Sequence, residues 1–114
     1  MILLVEDEPL LREVTSEDLE SLGFEVECAR DGDEAIEILA QRTFAALITD
    51  IRMPGAVDGW EVARRAREQH PDLPVIYLSG YSDPASEPVE DARLVQKPYR
   101  IGDISRALGE LGLL

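Results

Sequence analysis

The chain has 114 residues, enough for one domain (1–114) that can bury a real core. Its 24 acids against 11 bases give a formal net charge of −13, which repels nucleic-acid phosphates and anionic lipid, excludes both as partners and tolerates cations. One cysteine, Cys28, rules out an internal disulfide, and no apolar run reaches the roughly 18 residues of a membrane span, so the expectation is a cytoplasmic protein.

The elements follow in chain order. Ile2 to Val5 is a short apolar run, too short for a signal-peptide core and followed directly by acids. Leu10 to Leu22 carries Leu11, Val14, Leu19 and Leu22 at roughly helical spacing, with Gly23 as a stop. Phe24 to Ala29 alternates, with Glu25 and Glu27 on one side and Phe24, Val26 and Cys28 on the other. Asp33 to Gln41 places Ala35, Ile36, Leu39 and Ala40 on one helical face. Ala45 to Thr49 is apolar, Gly59 to Gln69 offers Val62, Ala63 and Ala66, and Val75 to Leu78 is apolar again. Leu94 to Gln96 lies in a fifth strand, and Ile101 to Leu111 shows Ile104, Leu108 and Leu111 at helical spacing.

This alternation predicts an α/β fold with an open five-stranded parallel sheet and helices on both faces. Runs one, three and four are apolar throughout, as strands covered on both sides should be. The second run carries two Glu and suits an exposed edge; the short fifth run takes the other. With right-handed crossovers the simplest order is 2-1-3-4-5, a flavodoxin-like arrangement whose ligand crevice lies beyond the carboxyl ends of strands one and three.

The residues at those ends form a set. Strand one runs into Glu6-Asp7-Glu8, strand three into Asp50, strand four into Ser79 and strand five into Lys97, the only lysine. Singly, each has an ordinary reading. The first three acids could cap a helix that begins at Pro9, Asp50 could sit in a turn, Ser79 in a loop, and Lys97 could be a solvated cation. Together they would share one rim. Carboxylates within ~4 Å of one another repel by a few kcal/mol at an effective dielectric near 20, and a hard divalent cation such as Mg²⁺ relieves this. Asp50 could then accept a phosphoryl group as an aspartyl phosphate, with the metal, the Ser79 hydroxyl and the Lys97 ammonium each taking one phosphoryl oxygen.

"LLVEDE" (Leu3 to Glu8), "LITDIRMPG" (Leu47 to Gly55), "DGWEVA" (Asp58 to Ala63), "PVIYLSGY" (Pro74 to Tyr81) and "QKPY" (Gln96 to Tyr99) together resemble the receiver domain of response regulators, over essentially the whole chain. The resemblance implies a two-component or phosphorelay protein, chemotaxis-regulator-like, phosphorylated on Asp50 from the phosphohistidine of a histidine kinase or histidine phosphotransfer protein. It implies Mg²⁺ held by Asp7 and Asp50, by the Arg52 backbone carbonyl and, through water, by Glu6. It assigns phosphate binding to Ser79 and Lys97, and a cis peptide before Pro98 that turns the lysine inward. Such a domain is not a multiple-turnover enzyme, although it supplies the groups for its own phosphorylation and dephosphorylation. It is either a stand-alone regulator or the receiver of a hybrid histidine kinase, acting on an unknown downstream protein.

Three features depart from the family pattern. Leu94 stands where an aromatic switch residue is usual, with Tyr81 and Tyr99 the nearest aromatics. The stretch Tyr81 to Arg93 holds Pro84 and Pro88, so a fourth helix there should be short or irregular. "PGAVDG" is one residue longer than the commonest form, which lengthens a loop. His70 suits a helix end, Cys28 a strand and Trp60 helix-start packing. The alternatives are a haloacid-dehalogenase-like Mg²⁺-dependent phosphatase, disfavoured because "VEDEPL" lacks an Asp-x-Asp nucleophile motif, and a non-phosphorylated interaction module. A Gly-rich nucleotide site is disfavoured because the first strand–helix turn is acidic.

Overall fold

The computed structural model describes residues 1–80 and 87–114. Strands β1 (Ile2–Val5), β2 (Val26–Ala29), β3 (Ala46–Asp50), β4 (Val75–Ser79) and β5 (Arg93–Gln96) pair in parallel in the order β2-β1-β3-β4-β5. Among the described residues they are joined by helices α1 (Pro9–Ser21), α2 (Gly32–Gln41), α3 (Gly59–Gln69) and α4 (Ile101–Glu110). This is the expected flavodoxin-like sheet, and the two-residue period of its strands divides the core in two. Leu3, Val5, Leu47, Val75 and Tyr77 point to one side, against α2 and α3. Ile2, Leu4, Ile48, Ile76, Leu78 and Val95 point to the other, against α1 and α4.

Residues 81–86 of the anticipated fourth helix lie outside the described residues. From Glu87 to Ala92 the backbone forms an irregular segment with a turn, and Asp91 adopts a positive φ of 61°. The Tyr77 hydroxyl accepts the Val89 N–H at 3.1 Å, and Arg67 donates to the Glu90 carbonyl at 2.8 Å. This segment is therefore tied to β4 and α3 by polar contacts.

The buried face of α1 differs from its apolar reading. Val14 is 47 % exposed, whereas Thr15 is 2 % exposed and Leu19 is fully buried. The inward line is Leu11, Thr15, Leu19 and Leu22, spaced four, four and three residues apart. A threonine is tolerated in that line because its hydroxyl, 2.6 Å from the Tyr99 hydroxyl, is hydrogen-bonded there.

Helix starts set the loops at the site. Asp31 and Asp58 are N-caps, accepting the Glu34 and Glu61 N–H groups at 2.8 and 2.9 Å. At α1 the Glu8 side chain makes no cap; Glu6 instead reaches forward to accept the Glu8 N–H at 3.2 Å. Of the three acids read as capping candidates, Glu6 therefore helps to satisfy the helix start.

Candidate functional site

β1 and β3 are neighbours at the centre of the sheet, with Val5 level with Thr49. The residues that follow, Glu6 and Asp50, therefore emerge side by side at the carboxyl rim. Glu6 is fully buried and Asp50 is 1 % exposed, while Asp7 is the accessible member of the group. Carboxylate oxygens of Glu6, Asp7 and Asp50 lie within 4.8 Å of one another.

β5 supplies the counter-charge. Its last residue, Gln96, is level with Ser79 of β4, and the next N–H, that of Lys97, closes the ladder on the Ser79 carbonyl at 2.7 Å. The Lys97–Pro98 peptide is cis, as the resemblance implied. The Lys97 ammonium lies 2.5 Å from Asp50 Oδ1 and 3.3 Å from Glu6 Oε1.

One ammonium faces two buried carboxylates, and that imbalance sets the electrostatics. Burial, then the neighbouring Glu6, push the Asp50 carboxyl up to about 9, against the opposing pull of Lys97. For Lys97, burial favours the neutral amine, but the Asp50 and Glu6 carboxylates outweigh it and hold the ammonium above its ordinary value. Ion pairing does not satisfy the oxygens. Glu6 Oε1 and both oxygens of Asp50 are buried without a properly oriented hydrogen bond among the described residues. Buried oxygens of this kind require a partner. A set of hard, anionic oxygens with one accessible acid is the donor chemistry that Mg²⁺ takes, so the residues present fit that ion.

The other candidates are placed less tightly. Ser79 ends β4 one position beyond Leu78, the residue level with Asp50. Among the described residues its hydroxyl makes one long bond, 3.4 Å, to the Gly80 carbonyl, and contacts neither Asp50 nor Lys97. Arg52 follows Asp50 by two residues in the β3–α3 connection, with its side chain exposed. Leu94 is 58 % exposed on β5, so no buried side chain occupies the position where the family places its aromatic switch. Tyr81 lies outside the described residues. Trp60 packs at the start of α3, as expected, its ring 4.6 Å from that of Tyr77.

Sequence reasoning missed the residues that hold this rim in place. Gly59 donates its N–H to the Ile51 carbonyl at 2.7 Å, and a Cβ at this position would lie 1.9 Å from the Asp50 carbonyl oxygen. Only glycine lets α3 begin directly against the backbone of Asp50. Its mark in the sequence is Gly directly after the N-cap Asp58, which reads equally well as an ordinary turn. On the other side, Arg12 of α1 donates to the Glu6 carbonyl at 2.9 Å. Nothing in the sequence distinguishes Arg12 from a solvated helix arginine.

Sheet order, strand-end acids and the inward lysine together define a receiver domain. The chain belongs to the family described as response regulator receiver domain, which matches residues 2–108. It is 37 % identical to the response regulator receiver protein CpdR of Brucella abortus, over 90 % of this chain and 88 % of that one. It superposes on the receiver domain of the hybrid histidine kinase CckA with a TM-score of 0.84, at 33 % identity, covering 99 % of this chain and 98 % of that one. The response regulator TrrA of Thermotoga maritima, solved in complex with Mg²⁺ and BeF, also gives 0.84 at 33 % identity, covering 96 % of each chain. Other curated relatives are longer: the chain spans 37 % of one and 6 % of another. Among the described residues no helix is long and apolar enough to cross a membrane.

Proposed function

We propose that the chain is a phosphoacceptor: it takes a phosphoryl group from a partner phosphohistidine onto Asp50, holds it as an aspartyl phosphate, and releases it slowly to water. The observation that carries this reading is the buried Asp50 carboxylate, with oxygens lacking oriented hydrogen bonds, facing the only lysine of the chain. In the transfer an Asp50 oxygen attacks phosphorus, the P–O bond forms and the P–N bond to the histidine breaks. Lys97 leaves Asp50 Oδ1 and follows the arriving charge to a phosphoryl oxygen, a movement its flexible stem allows. Ser79, one strand over, rotates its weakly bonded hydroxyl to a second oxygen. Mg²⁺, when bound by Asp7 and Asp50, by the Arg52 carbonyl and through water by Glu6, supplies positive charge against the transferring group. Burial keeps bulk water from the new acyl phosphate and slows hydrolysis.

Such a protein turns over no free substrate. Its partners are a histidine kinase or histidine phosphotransfer protein upstream and an effector downstream, in the cytoplasm. Both a stand-alone regulator and the receiver of a hybrid histidine kinase, the setting that CckA's description gives, accommodate this chemistry.

The test is incubation with Mg²⁺ and acetyl phosphate, followed by intact-mass spectrometry. A single phosphoryl adduct is expected, one that does not form when Mg²⁺ is withheld and is absent from Asp50→Asn; an adduct that survives Asp50→Asn ends the proposal. In a companion measurement, Mg²⁺ titration followed by Trp60 fluorescence should show near-normal affinity in Lys97→Ala and a large loss in Asp7→Ala. Equal losses in the two variants would contradict the division of roles.

A further inference from the structure

Thr15 is the one polar residue on the buried line of α1, and it is 2 % exposed. Its hydroxyl meets the Tyr99 hydroxyl at 2.6 Å, joining positions 84 residues apart. Either hydroxyl can donate, and this is the one side-chain hydrogen bond that each makes among the described residues. Burial raises the Tyr99 hydroxyl above its ordinary value, so it remains a neutral phenol able to form the bond.

The position of Tyr99 gives the contact a consequence. Tyr99 follows Lys97 and Pro98 directly, in the turn between β5 and α4. On the β5 side the turn is held by the Lys97 N–H on the Ser79 carbonyl, at 2.7 Å. The next side-chain tie along the chain is the Tyr99 hydroxyl. Three residues before Thr15, on the same helix, Arg12 grips the Glu6 carbonyl at 2.9 Å. Through these two bonds α1 holds both sides of the pocket: the loop carrying Glu6 and Asp7, and the turn carrying Lys97.

We propose that Tyr99 is a positioning residue for Lys97: its hydrogen bond to Thr15 clamps the 97–99 turn to α1 and thereby sets the ammonium between Asp50 and Glu6. The inference rests on the phosphoacceptor reading only for its effect on phosphoryl capture; the placement of the lysine is testable without metal or phosphate. A merely structural bond would satisfy a buried hydroxyl and leave Lys97 indifferent to its loss.

Lys97 is the only lysine, so the N-terminal amine of Met1 serves as an internal standard. The whole chain, without metal, is treated with trace acetic anhydride, and modification at Lys97 and Met1 is compared by peptide mass spectrometry. Tyr99→Phe and Thr15→Val should each raise the Lys97-to-Met1 ratio roughly fivefold, the equilibrium factor of one ordinary hydrogen bond. The double variant should be no more reactive than the more reactive single, because both changes remove the same bond. Thr15→Ser, which keeps the hydroxyl, should restore the original ratio, and this comparison remains open should Tyr99→Phe fail to fold. Unchanged ratios in folded single variants, or additive effects in the double, overturn the inference. In the presence of Mg²⁺ and beryllofluoride, Tyr99→Phe should bind Mg²⁺ normally and beryllofluoride more weakly. A wild-type chain that captures no beryllofluoride would defeat the phosphoacceptor reading and leave the reactivity comparison standing.

Discussion

The two walls of the acidic pocket are built differently. On the α3 side the wall is backbone against backbone: Gly59 sits on the Asp50 carbonyl, and the Trp60 ring behind it packs at a tilt against Tyr77. On the α1 side the wall hangs on side-chain hydrogen bonds, Arg12 to Glu6 and Thr15 to Tyr99. Close backbone packing has no nearby alternative arrangement, whereas a side-chain hydrogen bond can be broken and remade at a net cost of about 1 kcal/mol. Asp50 is therefore fixed by the rigid wall, and Lys97 is carried by the adjustable one, the division that the proposed transfer to Asp50 would use.

Breaking the rigid wall should cost most. Gly59→Ala forces a Cβ into the Asp50 carbonyl, and roughly 2–4 kcal/mol of stability should be lost. Urea denaturation reads this directly, and an unchanged midpoint would show that α3 can back away from β3.

The charge trapped between the walls makes the next largest effect. The folded-state pKa of Asp50, about 9, lies above its ordinary 3.8, so the folded chain binds more protons than the unfolded one over that interval. Stability of the metal-free protein should therefore fall as pH rises through the interval, by up to about 1 kcal/mol per pH unit from this group. Thermal melts in EDTA between pH 5 and 8.5 should show a steeper decline for wild type than for Asp50→Asn, and Mg²⁺ should remove much of the difference. Parallel curves for the two proteins would mean that Glu6 and Lys97 neutralise the pocket by themselves.

The smallest effect belongs to the adjustable wall. Arg12→Ala removes one hydrogen bond to a backbone carbonyl and should cost about 1 kcal/mol. Mg²⁺ affinity should drop modestly with it, because the loop bearing Glu6 and Asp7 loses its tie to α1. A titration in which the Arg12→Ala stability changes but the Mg²⁺ midpoint does not would separate the helix from the loop bearing Glu6 and Asp7.

Most of the fold was legible because it rests on short-range pattern. Continuous apolar runs marked β1, β3 and β4, and the Glu-bearing alternation marked β2 as an edge. Asp50 and Lys97 were legible for a different reason: a carboxylate ending a buried strand and a lone lysine have few structural uses, and the topology brings both to one rim. Val14 was read onto the buried line of α1 and Thr15 was passed over, because a hydrophobicity pattern counts the valine and not the threonine. What reversed them was a hydroxyl partner on the far side of the sequence. Gly59 and Arg12 escaped for the same kind of reason, since each acts on a carbonyl oxygen of a different element.

The amino-acid order alone thus determined the strands, their sequence in the sheet, and which acids and which lysine share the carboxyl rim, because two-residue and four-residue periods and the handedness of crossovers act locally. Only the tertiary structure decided how those charges are held: that Glu6 and Asp50 keep buried oxygens without oriented hydrogen bonds, that Lys97 bridges them, and that Gly59, Arg12 and the Thr15–Tyr99 pair hold the pocket from its two sides. Those contacts join different elements, some of them far apart in the chain, and their energies depend on burial, which no local pattern carries.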